Sequence, residues 1–543
     1  MPASCSHGLL DPGAIGGDLV WWRNSPALNT LVTLYGGPPD ADPASFDSLQ
    51  LQLLLFDASG NLHKRWTETL LRDRWLLVDS RSHAGSPCEG VLAIVAVPPV
   101  RASSEARAAF RRLGPLVDWF SDGGETMALH SDQALDFSAR PQELTEVVFL
   151  ESAGQRNLLV VLNGPQARPA KTLRFTARNA GGETRAAVYP AGMNPFSVHR
   201  IYLSDLFPGL ADFCAGRAAT LEGAIPAGKM YLRPYVVTEG ARLGAYHGGD
   251  RYSFPALPSF VYRVLGHGEV NPMVAVHSGQ VTTCVNILNS HGGLDDDFWV
   301  DARLFDEAGV LVAEKSRWLR APRRGLGRGE IAELLPAGRK QFAGHVALNF
   351  TPDQKPLYPR HLQALLEYRS PVNAAHVMAW SDVWNARQEL AQAASRLRGL
   401  LPLDRLDSIV RPLPEGAVLR AHQRAWCSGP IESQLAITNC GARRDYSGRA
   451  RYRMRLRNLA GQELDYQGDL PPQGSDIGPV DRFFPNAAGF AAPEQVALVL
   501  LESRSDLAAV VLNRHRASGA VSAEHFMADA TYRDGEYFYF CGS

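Results

Sequence analysis

Phe298-Trp299-Val300-Asp301-Ala302-Arg303-Leu304-Phe305-Asp306-Glu307-Ala308-Gly309 decides how the chain is read. Apolar and polar residues alternate up to Phe305, the period of a strand with one face inward. Asp306 opens a turn and Gly309 closes it, because Gly accepts a positive φ at little cost. The same phrase recurs three times. Leu51-Gln52-Leu53-Leu54-Leu55-Phe56 leads to Asp57…Gly60, Leu173-Arg174-Phe175-Thr176-Ala177 to Asn179…Gly182, and Tyr452-Arg453-Met454-Arg455-Leu456 to Asn458…Gly461. A lone Asp/Asn-x-x-Gly is a weak signal, but its neighbours repeat as well.

Upstream of three copies a strand ends in Asn, at Leu162-Asn163, Leu288-Asn289 and Thr438-Asn439. Downstream come an acidic residue, large apolar residues and Pro: Asp205-Leu206-Phe207-Pro208, Glu333-Leu334-Leu335-Pro336 and Asp481-Arg482-Phe483-Phe484-Pro485. These short stretches read as single helical turns. The turn residues stand at 57, 179, 306 and 458, so the spacings are 122, 127 and 152. Repeats of this length, built of short strands and hairpin turns, predict an all-β chain of four tandem antiparallel β-sandwich repeats, immunoglobulin-like in architecture. The expected units are 1–140, 141–266, 267–385 and 415–543. The extra length before the last copy is Ala/Leu/Arg/Gln-rich and predicts a helical connector over 386–414. A second helix is expected at 103–113, inside the first unit.

Composition bounds the rest. The chain has 543 residues, 45% hydrophobic and 20% charged, with a formal charge of −1. At roughly 150 residues per domain this fits three to four domains. Near-neutrality gives no global reason to seek nucleic acid or a membrane surface. No stretch approaches the ~18 apolar residues of a spanning helix, and the first residues lack the basic and apolar regions of a signal peptide. The seven cysteines are scattered without a CxxC, which predicts buried free thiols and a cytoplasmic setting. The Arg/Ala-rich composition suggests a bacterial source.

The last unit resembles the sensory rhodopsin transducer family of small cytoplasmic bacterial β-sandwiches. The resemblance lies in Val510-Val511-Leu512-Asn513-Arg514-His515-Arg516, in Ala523-Glu524-His525-Phe526-Met527-Ala528-Asp529-Ala530-Thr531-Tyr532, and in the Asn439 strand end with its Asn458…Gly461 hairpin. It covers about one repeat of four. It implies a carbohydrate-binding-like sandwich used for binding or signalling, and it brings no catalytic residues.

No nucleotide, metalloprotease, hydrolase or EF-hand motif occurs. Candidate sites are therefore positional. Each unit closes on a similar segment: Thr126–His130, Leu243–His247, and His-x-Met-Ala at His376 and His525. His130-Ser131-Asp132 and His247-Gly248-Gly249-Asp250 occupy comparable places, and both histidines are candidate binding residues at a sandwich rim. Trp380-Ser381-Asp382-Val383-Trp384 alternates, so Trp380, Asp382 and Trp384 would share one face and form a contact surface. If two sandwiches packed their rims together, His376 and His525 could approach and hold a divalent metal. Asp295-Asp296-Asp297 and the basic cluster Arg323-Arg324 to Arg328 read as solvated surface. The leading expectation is a non-catalytic binding or scaffold protein without a cofactor, recognising a small molecule, glycan or protein. The alternative is a metal-assisted hydrolase or isomerase with its site at an inter-repeat seam.

Overall fold

The computed structural model describes residues 9–10, 14, 16–37, 48–97, 113–130, 133–136, 144–151, 154–224, 231–232, 235–246, 249–250, 257–258, 271–289, 296–351, 357–358, 363–379, 418–439, 446–505, 507–528, 531–533 and 536–538. The helix expected at 103–113 falls, but for its last residue, outside them, and the connector at 386–414 does so entirely.

The fold is all-β. The first unit lays down β1 (Gly16–Ser25), β2 (Leu28–Tyr35), β3 (Ser48–Asp57), β4 (Leu62–Leu71), β5 (Trp75–Asp79), β6 (Glu89–Val97), β7 (Leu116–Phe120) and β8 (Thr126–His130). One sheet has the order β4-β3-β6-β1 and the other β5-β2-β7-β8, all neighbours antiparallel. The second unit (Leu144–Leu150 through Leu243–Tyr246), the third (Asn271–His277 through Ala374–Ala379) and the fourth (Leu419–Trp426 through Val521–His525) repeat this order strand for strand. The quoted hairpin is the third and fourth strand of its unit, Phe298–Asp306 with Leu311–Ala321. Alternation holds only in part: Val300, Ala302 and Leu304 face the core, but Asp301 and Arg303, whose face was expected in solvent, are buried too, and exposure comes on the edge strand, at residues such as Glu314 and Lys315.

The acidic-apolar-Pro stretches are single helical turns at Leu203–Leu206, Ile331–Leu334 and Val480–Phe483. Each plugs one end of its sandwich with buried side chains such as Leu203, Ile331 and Phe483. The first unit has the short turn Ser80–Ser82 at this place, which is why it shows no such motif.

The recurring turn does more than close a hairpin. Its side chain caps it locally: Asp306 Oδ1 accepts from the amides of Ala308 and Val310 at 3.0 and 2.9 Å. Its tip then docks on the next unit, on the backbone just before that unit's fifth strand. Val198 N donates to Ala58 O at 3.0 Å, and Phe56 stacks on Phe196 with ring centroids 4.2 Å apart. The turn 179–182 meets Arg323 to Gly325. Ser475 N donates to Glu307 O at 3.0 Å. The last turn returns to the first unit, where Trp75 Nε1 donates to Asn458 O at 3.0 Å. The strand-end asparagines brace the receiving side. Asn163, Asn289 and Asn439 each donate to carbonyls of the receiving segment or the residues just before it, at Met193 and Asn194, at Ala321 and Pro322, and at Leu470 and Pro471.

Four head-to-tail contacts of one kind close a ring. The eighth strands meet at its centre in cyclic order, Thr126–His130, Leu243–Tyr246, Ala374–Ala379, Val521–His525 and back to the first. Each is an edge of its own sheet, and the ring buries all four edges.

The docking contact is tight enough to test. Gly309 has φ +77° and a Cβ there would fall 2.2 Å from the Pro472 carbonyl oxygen. Gly85 has φ +76° with nothing within 4 Å of that position. Both Gly→Ala changes pay the left-handed penalty of about 1–2 kcal/mol. Gly309→Ala should cost about 1–3 kcal/mol more, since backbone must give way. Denaturant midpoints measured for both variants decide this; equal losses would mean that the turn does not bear on its neighbour.

Candidate functional site

The ring turns four similar seams into four different environments, and the eighth strands place His130, His376, Glu524 and His525 in them. Between the fourth and first units, Glu524 lies on the strand Val521–His525 and points at the end of β8. Its Oε2 accepts from the His130 amide at 2.9 Å. Its Oε1 lies 3.4 Å from His130 Nδ1 and 3.5 Å from His525 Nε2, and accepts from the His525 amide at 2.8 Å. The two imidazole rings sit 4.8 Å apart at 66°. His130 and Glu524 are buried and His525 is nearly so. His525 Nδ1 is 3.0 Å from Phe526 O. A carbonyl only accepts, so Nδ1 carries the proton. Gln423 Nε2 donates to the His525 carbonyl at 2.6 Å and holds the strand end.

The expected approach of His376 to His525 is not what the strands produce. His525 faces His130. His376 is fully buried on its own strand, where Nε2 donates to Glu367 Oε2 at 2.9 Å and the ring crosses that of Tyr246 at 81°. Glu367 is also held by Arg328 at 2.6 and 2.7 Å, and Arg369 Nε lies 3.2 Å away. Burial works to raise the Glu367 pKa, but the hydrogen bonds from Arg328 and His376 hold it well below the usual carboxylate range. Burial likewise keeps His376 neutral by lowering its pKa. Arg328 is thus the partly exposed partner of a buried carboxylate, not the fully solvated surface charge expected of its cluster. His130, expected at a rim, is buried at the axis. His247, Trp380, Asp382 and Trp384 lie outside the described residues.

Asp297 behaves as a structural anchor. It pairs with Arg320 and accepts from the Arg323 amide at 2.6 Å. Of the described cysteines, Cys214, Cys284 and Cys427 are buried free thiols, pushed up to about 12 by burial and so inert as nucleophiles. Cys88 departs from the expectation in being exposed.

The seam between the third and fourth units carries a cleft of about 650 Å³. Phe342, Ile477 and Leu512 form an apolar wall, and Arg339, Arg514 and Asp306 line its polar side. Arg339 lies over the Phe342 ring. The Arg514 Nε is buried and finds no hydrogen-bond partner among the described residues. Behind the cleft, His345 stacks on Phe305 and bonds Gln473 at 3.1 Å. Burial pushes its pKa down to about 4.

Two buried clusters escaped sequence reasoning. One is Glu367 with Arg328 and His376. The other is Asp118, which joins Arg424 and Trp426 across the seam between the first and fourth units. Asp118 sits in the otherwise apolar strand Leu116–Phe120, and Glu367 between Leu366 and Tyr368 in the strand Gln363–Arg369. A lone carboxylate in such a strand was the available signal.

No protein-family model matches the chain, and no curated protein matches it. Among solved structures, one described as the crystal structure of a tetra-tandem repeat in the extending region of a large adhesion protein aligns over 96% of this chain and 100% of its own. The identity is 11% and the TM-score 0.08, too low to carry an argument. Among the described residues no helix is long and apolar enough to cross a membrane.

Proposed function

We propose that the protein is a non-catalytic binding scaffold of the bacterial cytoplasm, a closed ring whose small-molecule site is the cleft between the third and fourth units. The observation that carries this reading is the buried, unbonded Arg514 Nε in a cleft with an apolar wall. A buried donor without an acceptor costs about 1–3 kcal/mol. A ligand with an anionic or carbonyl oxygen and an apolar body recovers that cost. Such a site, mostly apolar with a few convergent polar groups, is the usual form of a small-molecule pocket. The likeness of the last unit to the sensory rhodopsin transducers supports a binding or signalling role, and the free thiols support a reducing compartment.

A thermal-shift screen of small amphipathic carboxylates, phosphate esters and neutral sugars tests this. The expected hits are anionic amphipaths that stabilise the wild type. Arg514→Met removes the donor, and Gln434→Trp fills the exposed edge of the cleft. Each should abolish the shift. If no compound stabilises the wild type, or the shifts survive both substitutions, the cleft is not the site.

A further inference from the structure

We infer that Glu524, His130 and His525 form a binding site for one divalent transition-metal ion of the zinc class, which ties the last unit to the first. The inference is independent of the cleft, which lies at another seam. Three potential ligand atoms, two imidazole nitrogens and one carboxylate oxygen, lie within 4.8 Å of one another. Zn²⁺ bonds to nitrogen and oxygen at ~2.0–2.2 Å, which puts the edge of its tetrahedron near ~3.4 Å. The separations of Glu524 Oε1 from His130 Nδ1 and His525 Nε2 are 3.4 and 3.5 Å. Only the two imidazoles need to close up.

The electrostatics favour a cation at this point. His525 commits its Nδ1 proton to the Phe526 carbonyl. The neutral ring then turns the Nε2 lone pair toward a carboxylate oxygen, and two acceptors face each other across 3.5 Å. A cation between them relieves the repulsion of the two acceptors. A backbone carbonyl on the far nitrogen is also how proteins orient a metal-binding histidine. The second carboxylate oxygen is held by the His130 amide, which fixes the orientation of Glu524. Two nitrogens and one oxygen suit Zn²⁺, Co²⁺ or Ni²⁺ better than Ca²⁺ or Mg²⁺, which take oxygen ligands.

The ligands are far apart in sequence: His130 and Glu524 are separated by 394 residues. A bound ion would therefore bridge the point at which the ring closes, and because the folded chain binds it and the unfolded chain lacks the assembled site, it would raise the melting temperature.

The test uses the full chain, stripped with chelator and dialysed against a small excess of ZnCl₂, with metal counted by elemental analysis. The expected result is one Zn per chain retained through gel filtration, with a higher melting temperature than the stripped protein. His525→Gln and Glu524→Gln should each weaken binding by more than the ~100-fold that follows loss of an outer-shell partner. X-ray absorption of the zinc-loaded wild type is the second measurement and is insensitive to variant folding; it should report two imidazoles. A wild type that retains no zinc would mean that the positive charge is a proton on His525, and the inference fails. It fails equally if the variants retain zinc as the wild type does, or if the absorption spectrum shows no imidazole.

Discussion

Asp118→Asn should cost about 3–5 kcal/mol, the penalty for leaving one member of a buried ion pair without its partner. Arg424 enters the seam between the first and fourth units with its side chain 2% exposed. Its guanidinium donates to Asp118 at 2.7 and 3.1 Å, to Thr33 Oγ1 at 2.7 Å, and to the carbonyls of Leu31 and Leu116. Trp426 Nε1 adds a bond to the same carboxylate at 2.7 Å. Arginine does not shed its proton in a protein, so removing the carboxylate strands a full charge among Leu31, Phe120 and Trp426. Replacing both partners, as in Asp118→Leu with Arg424→Met, should recover most of the loss, because no charge is then buried. Denaturant unfolding followed by Trp fluorescence reads both. A single substitution that behaves as wild type would show that the pair does not hold the seam.

The second large effect is expected at Glu367→Gln, also about 3–5 kcal/mol. Glu367 is fully buried and shares a bidentate contact with Arg328, which loses its counter-charge in the variant. The pH dependence has a definite sign. The folded carboxyl titrates below its unfolded range, so its contribution is present above about pH 4.3 and is lost as the solution is acidified below that. His376 is kept neutral by burial, so its contribution is present above about pH 6.5 and declines below it. His345 acts in the same direction at the next seam. Acid should therefore weaken the wild type in two stages. Glu367→Gln should lose less stability below about pH 4.3 than the wild type, the remainder coming from carboxylates such as Asp57 and Glu463 that also titrate below their usual range. Stability curves for both proteins from pH 7 to 3 check it, and parallel curves would refute it.

Much of the architecture could be read from local chemistry. An Asp or Asn that caps its own turn and a Gly at positive φ leave the same residues wherever the hairpin occurs, so Asp57, Asn179, Asp306 and Asn458 were recognisable together with the neighbours that repeat beside them. The strand-end asparagines were visible for the same reason, although their task, bracing the segment that receives a neighbour's turn, was not. That task depends on which unit lies beside which. The histidines show the limit more sharply. His-x-Met-Ala is shared by the third and fourth units, and matching the text aligns His376 with His525. The strands align differently. Counting from the start of each eighth strand, His130 and His525 are both fifth, whereas His376 is third and the fifth residue is Met378. Two residues along a strand is about 7 Å, enough to take an imidazole out of a shared site. Glu367 and Asp118 offered only the weak signal of a lone carboxylate between apolar neighbours, which looks the same whether it faces solvent or a guanidinium.

The four seams have diverged although the docking turn is common to all. One carries a histidine-carboxylate cluster, one a buried Glu-Arg-His group, one an open cleft, and the seam between the first and second units is filled by Trp21, Trp119 and Tyr235. Four separate chains of one module would have to place any ligand site at every seam. Joining the modules in one polypeptide lets each seam be altered alone.

Trp75 receives its cover from Asn458, 383 residues later. During synthesis at ~5–20 residues per second, that indole waits roughly 20–80 s for the module that shields it. The nascent chain thus carries an open, adhesive end from its first module until its last has left the ribosome. Any premature stop within the last module would leave that end permanently bare, a natural substrate for chaperones and proteases.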